Sequence, residues 1–221
     1  MKNILALDAS SENISLYLKK GEKEPFDFNS RIKFGASKLP GIVDKALRKL
    51  DLDLRDVDTF LIGSGPGSFT GLRVSFSLFK AFMVSLGKPV YSVGSFFSCA
   101  YPYRNKHENI AVVSDARKNL IYLAGFKSKN GILRKIKKER LVSIEELVKE
   151  KKDYFFVSYD LHLREKILRF APQVKFSPKA VYPKAKYLIE AVKMLNISEF
   201  SRVDKLIPLY LHPKICQIKK F

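Results

Sequence analysis

An α/β fold with mixed sheets is predicted by three observations. Strand-like stretches crowd the start of the chain, strand-like and helix-like segments alternate after them, and Gly and Pro punctuate the joints. Ile4-Leu5-Ala6-Leu7 reads as a buried strand ending at Asp8. From Asn13 to Lys19, Ile14, Leu16 and Leu18 alternate with Ser15, Tyr17 and Lys19, the period of a strand with one buried face. Gly21 marks a turn, and Pro25 to Ile32 supplies a third strand. Leu39, Ile42, Val43, Ala46, Leu47 and Leu50 follow helical spacing. Leu61-Ile62-Gly63 is a short strand and Ser64 to Ser68 a loop. A long helix runs from about Thr70 to Leu86, closed by Gly87 and Pro89. Val90 to Val93, Ile110 to Ser114 and Leu120 to Phe126 read as strands. Beyond residue 127 the pattern weakens to a helix at Ile144–Val148, a strand at Tyr154–Val157 and an amphipathic helix at Tyr187–Leu195. No internal repeat is visible. Loop composition at 101–109 predicts a boundary, giving lobes of residues 1–105 and 106–221.

The 221 residues are 46% hydrophobic and 29% charged, which excludes a disordered chain and supplies a core. No unbroken apolar run approaches the ~20 residues of a membrane span, and the first residues lack signal-peptide architecture. A cytoplasmic protein with no membrane partner is expected. Cys99 and Cys216 form no CxxC pair, and His107, His162 and His212 are scattered, so neither a zinc site nor a disulfide framework is expected. The net charge is +19 and unevenly spread. Residues 1–100 hold 14 Lys/Arg against 10 Asp/Glu, and the remainder 27 against 12. Lys127, Lys129, Arg134, Lys135, Lys137, Lys138 and Arg140 form one run, and Lys149, Lys151 and Lys152 another. Such runs neutralise nucleic-acid phosphates or simply decorate a solvated face.

Gly63-Ser64-Gly65-Pro66-Gly67-Ser68-Phe69-Thr70-Gly71-Leu72-Arg73 sits between a strand and a helix. Its glycines free the backbone of Cβ atoms, Ser68 and Thr70 can cap the helix, and Arg73 falls in its first turn. A helix start of this kind suits an anion. It is neither a Walker A loop nor a GxGxxG fingerprint, because no Gly-Lys-Ser/Thr follows and Ser68 replaces the last Gly. Anion binding and a purely structural turn both remain open on these residues.

Gly65 to Arg73 resembles the signature of the TsaB (YeaZ) family, paralogues of the TsaD/Kae1 subunit that transfers a threonylcarbamoyl group to tRNA. Ile4 to Ser10 is similar to that family's opening strand and Asp-Thr-Ser loop, with Ala9 in place of Thr. Lys38-Leu39-Pro40, Gly87-Lys88-Pro89, Asp115-Ala116-Arg117 with Ile121-Tyr122, and Pro208-Leu209-Tyr210-Leu211 resemble further family segments in order. The resemblance is dense to about residue 125 and thin afterward. It implies an actin-like ATPase fold (the sugar kinase, Hsp70 and actin group) of two lobes, the C-terminal one reduced.

The resemblance also implies roles. TsaD-like catalytic subunits carry a His-x-x-x-His metal pair where this chain has Ser95 and Cys99, so a non-catalytic scaffold with no metal of its own is expected. It would bind a TsaD-like catalytic subunit, or a second copy as a homodimer, and through that complex a TsaE-like ATPase and tRNA. The assembled system makes N6-threonylcarbamoyladenosine at position 37. Interface residues are expected on the two helices, at Leu39, Ile42, Ala46, Leu72, Phe76, Phe79 and Met83. Asp8 matches the acid that helps hold a nucleotide's magnesium in actin-like ATPases, with Ser10-Ser11 placed to contact phosphate, or Asp8 merely caps a turn. No cofactor is expected on this subunit alone, with ATP or ADP at a subunit interface left open. Two rival readings are an independent ATP-hydrolysing protein using Asp8 and the glycine loop, and a glycoprotease-like peptidase. For the latter no Ser-His-Asp ordering is present.

Overall fold

A computed structural model describes residues 3–32, 35–150, 153–195 and 205–212. The chain divides into two compact units, Met1–Ser98 with Pro183–Pro208, and Cys99–Tyr182 with Leu209–Phe221. The first division lies close to the expected one after residue 105. The second was not anticipated: the helix at the C-terminal side belongs to unit 1, because its apolar face covers that unit's sheet.

Unit 1 runs β1 (Asn3–Asp8), β2 (Asn13–Lys20), β3 (Phe26–Arg31), α1 (Leu39–Lys49), β4 (Thr59–Gly63), α2 (Phe69–Leu86) and β5 (Val90–Val93). The sheet order is β3-β2-β1-β4-β5, antiparallel through β1, β2 and β3 and parallel from β1 to β4 to β5. The alternation read from the sequence sets the faces. Leu5, Leu7, Leu16, Leu18, Phe60 and Ile62 join Val43, Leu47, Leu72, Phe76 and Phe79 of α1 and α2 in one core. Phe60, Phe79 and Phe82 cluster within it, Phe60 meeting Phe79 edge-on at 5.7 Å and Phe82 at 5.4 Å. A short helix α3 (Ser95–Ala100) follows β5, and the division between units falls inside it.

Unit 2 runs β6 (Asn109–Asp115), β7 (Ile121–Lys129), β8 (Ile132–Val142), α4 (Ile144–Glu150), β9 (Phe155–Val157), α5 (Leu161–Phe170) and β10 (Lys175–Phe176). Its sheet order, β10-β9-β6-β7-β8, repeats that of unit 1: the first strand is central, two antiparallel strands lie on one side and two parallel strands on the other. This duplicated unit is the actin-like ATPase architecture. Unit 2 is reduced in its last two strands, of three and two residues. Edge strand β8 exposes Arg134, Lys135, Lys137 and Lys138. Lys135 is paired with Glu139 at 2.7 Å, and Lys137 and Arg140 both reach Glu150. Lys151, Lys152 and Cys216 lie outside the described residues.

α6 (Lys186–Leu195) returns to unit 1 and packs on β1, β4 and β5. Ala185 N donates to the buried Ser15 Oγ at 2.7 Å, and Lys186 pairs with Asp27 at 3.0 Å, tying the start of α6 to β2 and β3.

α2 is held at both ends. Ser68 Oγ accepts from Gly71 N at 3.2 Å, and Gly87 closes the helix with φ +64°. By length and composition α2 is apolar enough to cross a membrane, a property that reading unbroken runs missed because Arg73 and Lys80 interrupt it. Core helices of soluble proteins share that composition, and one face of α2 lies in the unit 1 core.

Phe79 has no exposed surface, whereas Val84 is 69% exposed. Phe79→Ala should cost about 3–5 kcal/mol of unfolding free energy, and Val84→Ser no more than about 0.5 kcal/mol, in urea titrations of the isolated protein.

Candidate functional site

The glycine-rich loop descends onto the turn that follows β1. Ser68 N donates to Ser10 O at 2.7 Å. A Cβ on Gly67 would stand 1.9 Å from Ser10 O, and one on Gly71 would stand 2.0 Å from Ala9 O. Both positions therefore require glycine, and the reason is backbone contact inside the protein. On the other side Gly65 N donates to Ser95 Oγ at 3.0 Å, and Ser95 N donates to Gly65 O at 3.0 Å. Ser64 N donates to Val93 O at 2.8 Å, so the loop is bound to β5 and α3 as well. The Gly65–Pro66 peptide is cis.

Asp8 lies beneath this loop with no exposed surface. Its Oδ1 accepts from Ser10 N at 2.9 Å and from Ser10 Oγ at 2.6 Å. A Cβ on Gly63 would stand 2.0 Å from Asp8 Oδ2, so that glycine gives the carboxylate its space. Burial pushes the Asp8 carboxyl up from its ordinary range, and the hydrogen bonds from Ser10 pull less strongly the other way. Asp8 Oδ1 and Ser10 thus form an internal turn, while the buried Asp8 Oδ2 has no hydrogen-bond partner among the described residues. Ser10 spends its hydroxyl on Asp8 rather than offering it outward.

The remaining loop residues divide by exposure. Gly65, Pro66 and Gly71 are buried, Gly67 is half-buried, and Ser68, Thr70 and Arg73 are exposed. Ser68 makes the helix cap. The Arg73 guanidinium lies over the Phe69 ring at 4.2 Å, stacked on the surface of α2. The residues proposed to cradle an anion are brought together, but the protein's own Ala9 and Ser10 carbonyls occupy the space against Gly67 and Gly71.

The expected interface residues need correction. Leu39, Ala46, Leu72, Phe76 and Phe79 are buried in the unit 1 core, and only Ile42 and Met83 reach the surface in part. Helical periodicity picks out the apolar face that meets the helix's own sheet, not the face left for a partner. The outward face of α2 is formed by Thr70, Arg73, Ser77, Ala81 and Val84, flanked by the partly exposed Val74 and Leu78. Phe69 at its start is 38% exposed. Among the described residues no group of three or more His, Cys, Asp or Glu could hold a metal.

Sequence reasoning also missed the β7–β8 turn, Asn130-Gly131, although Asn-Gly between strand-like stretches is a strong hairpin signal. That turn and residues 104–108 line an open basic cleft in unit 2.

Comparison with known proteins bears on these features together. The family model described as TsaD, tRNA N6-adenosine threonylcarbamoyltransferase, matches residues 35–197. The tRNA threonylcarbamoyladenosine biosynthesis protein TsaB of Bacillus subtilis (strain 168) is 26% identical over 170 residues, 75% of this chain and 74% of that protein. The protein of the same name from Haemophilus influenzae is 32% identical over 124 residues, 55% of this chain and 52% of its own length. The solved structure of YeaZ from Pseudomonas aeruginosa has the same fold, with a TM-score of 0.79 at 24% identity, covering 96% of this chain and all of that one. With its signature loop, its duplicated topology and a family match across most of its length, this chain belongs to the TsaB (YeaZ) family of tRNA threonylcarbamoyladenosine biosynthesis proteins, within the wider TsaD family.

Proposed function

We propose that this chain is a non-catalytic scaffold that binds and supports a TsaD-like catalytic subunit through the outward faces of α1 and α2. The observation that carries this reading is the outer face of α2, where Phe69 and Val84 are 38% and 69% exposed beside the small residues Ser77 and Ala81. Exposed Phe and Val side chains on that face favour burial against a partner, and a subunit surface is the ordinary source of it. Ser77 and Ala81, small and exposed, let a partner helix approach closely. The same face serves a homodimer when the catalytic subunit is absent, so the two assemblies compete for it.

The chemistry of unit 1 favours a supporting role. The loop that would hold a phosphate is fastened to the chain's own backbone, Asp8 is enclosed, and Ser95 is used as a fastener of the loop. A nucleotide, ATP or ADP, is accordingly assigned to an interface formed in the complex, and a TsaE-like ATPase joins through the catalytic subunit. tRNA is drawn to the basic unit 2.

The test is light scattering coupled to size-exclusion chromatography, on this protein alone and mixed with the TsaD-like protein of the same organism. Val84→Asp should abolish the one-to-one complex, and any homodimer, at micromolar concentration. Its own unfolding free energy should fall by no more than about 1 kcal/mol, since Val84 is a surface position and the new carboxylate meets the negative end of α2. An intact complex in that variant would remove α2 as the docking face.

Asp8→Asn distinguishes this reading from an independent ATPase. Because the folded state raises the Asp8 pKa, native protein binds more protons than unfolded protein above the ordinary carboxylate range, and ionisation costs stability as pH rises. Asn keeps an acceptor for Ser10 without the charge. Asp8→Asn should therefore melt higher than wild type at pH 7–8, with the gap closing as pH falls from the raised folded-state pKa down to the range where a free carboxylate titrates. Complex formation should be unchanged. A variant that loses both ATP turnover and stability at neutral pH would favour the enzyme reading.

A further inference from the structure

Unit 2 carries a cleft of about 720 Å³ between residues 104–108 and the end of β7 with its turn, 127–131. Its walls are tied together. Ser128 Oγ donates to Arg104 O at 2.6 Å, and Ser128 N donates to Glu108 O at 2.7 Å. Gly131, at φ +74°, lies so close to Asn105 that an added Cβ would stand 2.7 Å from its Oδ1. The cleft therefore exists before any ligand arrives, which spares a ligand the cost of ordering it.

Four cations line it, Arg104, Lys106, Lys127 and Lys129, against the single carboxylate of Glu108. Arg104 is fixed: its guanidinium stacks over Tyr101 at 3.8 Å and donates to Tyr101 O at 3.1 Å. Lys127 pairs with Glu108 at 3.2 Å. Lys106 and Lys129 are exposed. Beside them the His107 ring lies parallel to Phe155 at 3.7 Å, with Tyr103 against the same Phe155 at 5.0 Å. Burial, and then Lys175 and Lys106, push the His107 pKa down, so the ring is neutral at neutral pH. Cations next to an aromatic stack are what unpaired nucleotides require. Phosphates meet the cations, and a base meets a ring face.

We propose that this cleft holds the phosphates of an RNA segment, with an unpaired base against the His107 ring; the proposal rests on the RNA-facing role inferred above for the basic unit. A peptide or a duplex fits less well. Four cations with one carboxylate leave few acceptors for a peptide backbone, and a duplex keeps its bases out of reach of a single ring.

The test is fluorescence anisotropy of an unmodified tRNA transcript titrated with the full chain across a salt series. The same titrations are run with the TsaD-like protein present. Lys106→Ala/Lys129→Ala should weaken binding about tenfold and flatten the dependence of log affinity on log salt by about one unit per lysine. Glu108→Gln should tighten binding about threefold, a gain that no folding defect produces. His107→Ala should weaken tRNA binding and leave a blunt DNA duplex unaffected. Lys138→Ala/Lys149→Ala, which removes equal charge from the same unit outside the cleft, should change affinity less than about twofold. An equal loss in that control would overturn the cleft in favour of diffuse attraction. Wild-type binding that the cleft variants leave intact would overturn the cleft alone and keep RNA on the basic unit. No binding by wild type in any setting would remove both.

Discussion

The hydrogen bond from Ser68 N to Ser10 O, 2.7 Å long, joins the loop before α2 to the turn after β1, and the rest of unit 1 is arranged around that contact. Backbone meets backbone there with no side chain between. Gly67 and Gly71 are glycines for this reason, Gly63 clears space for Asp8, and Ser95 fastens the far side of the loop. Once the loop is seated, the first turn of α2 is capped and aimed. Phe79 and Phe82 then fall over Phe60 while Ser77, Ala81 and Val84 turn outward. The carboxylate underneath bears the cost, because a seated loop excludes water from Asp8.

Much of this was legible in the sequence, for identifiable reasons. α2 was bounded to within a residue because a capping Ser precedes it and a left-handed Gly follows it. β1 and β2 were found because buried and half-buried strands leave unmistakable patterns. The glycine loop was recognisable, but its role was not. Glycines chosen for contact with Ala9 and Ser10 look the same in a sequence as glycines chosen for a phosphate. The partner face was misplaced because periodicity reports the buried stripe, and Leu72, Phe76 and Phe79 are that stripe. In unit 2, β8 buries only Leu133, Glu139 and Val142 along its length, so no alternation marks it. α5 turns only Leu163 and Ile167 fully inward, too few to show a period.

The two units share a topology and use it for different surfaces. Unit 1 leaves a helix face of small residues with exposed Phe69 and Val84, and unit 2 leaves charge. The exposed cations of β8 serve the second sheet in another way. Strand β8 is an edge, and Arg134, Lys135, Lys137 and Lys138 along it make pairing with another strand unfavourable. Ile132 and Ile136, 46% and 44% exposed on the same strand, would otherwise invite it. Lys127 and Lys129 stand on β7, next to this protected edge, so the RNA cleft is built where strand addition is already discouraged.

The placement of α6 has a consequence for synthesis. The strands of unit 2 are encoded between the first sheet and α6, so a ribosome makes both sheets before it makes the helix that covers one face of the first. Until Lys186–Leu195 emerges, the face of β1, β4 and β5 that this helix covers stays bare. Domains generally fold in the order they are made. Here the amino-terminal sheet must wait as an open sandwich while its neighbour closes, and a nascent chain stalled between residues 182 and 195 would present that bare sheet to chaperones.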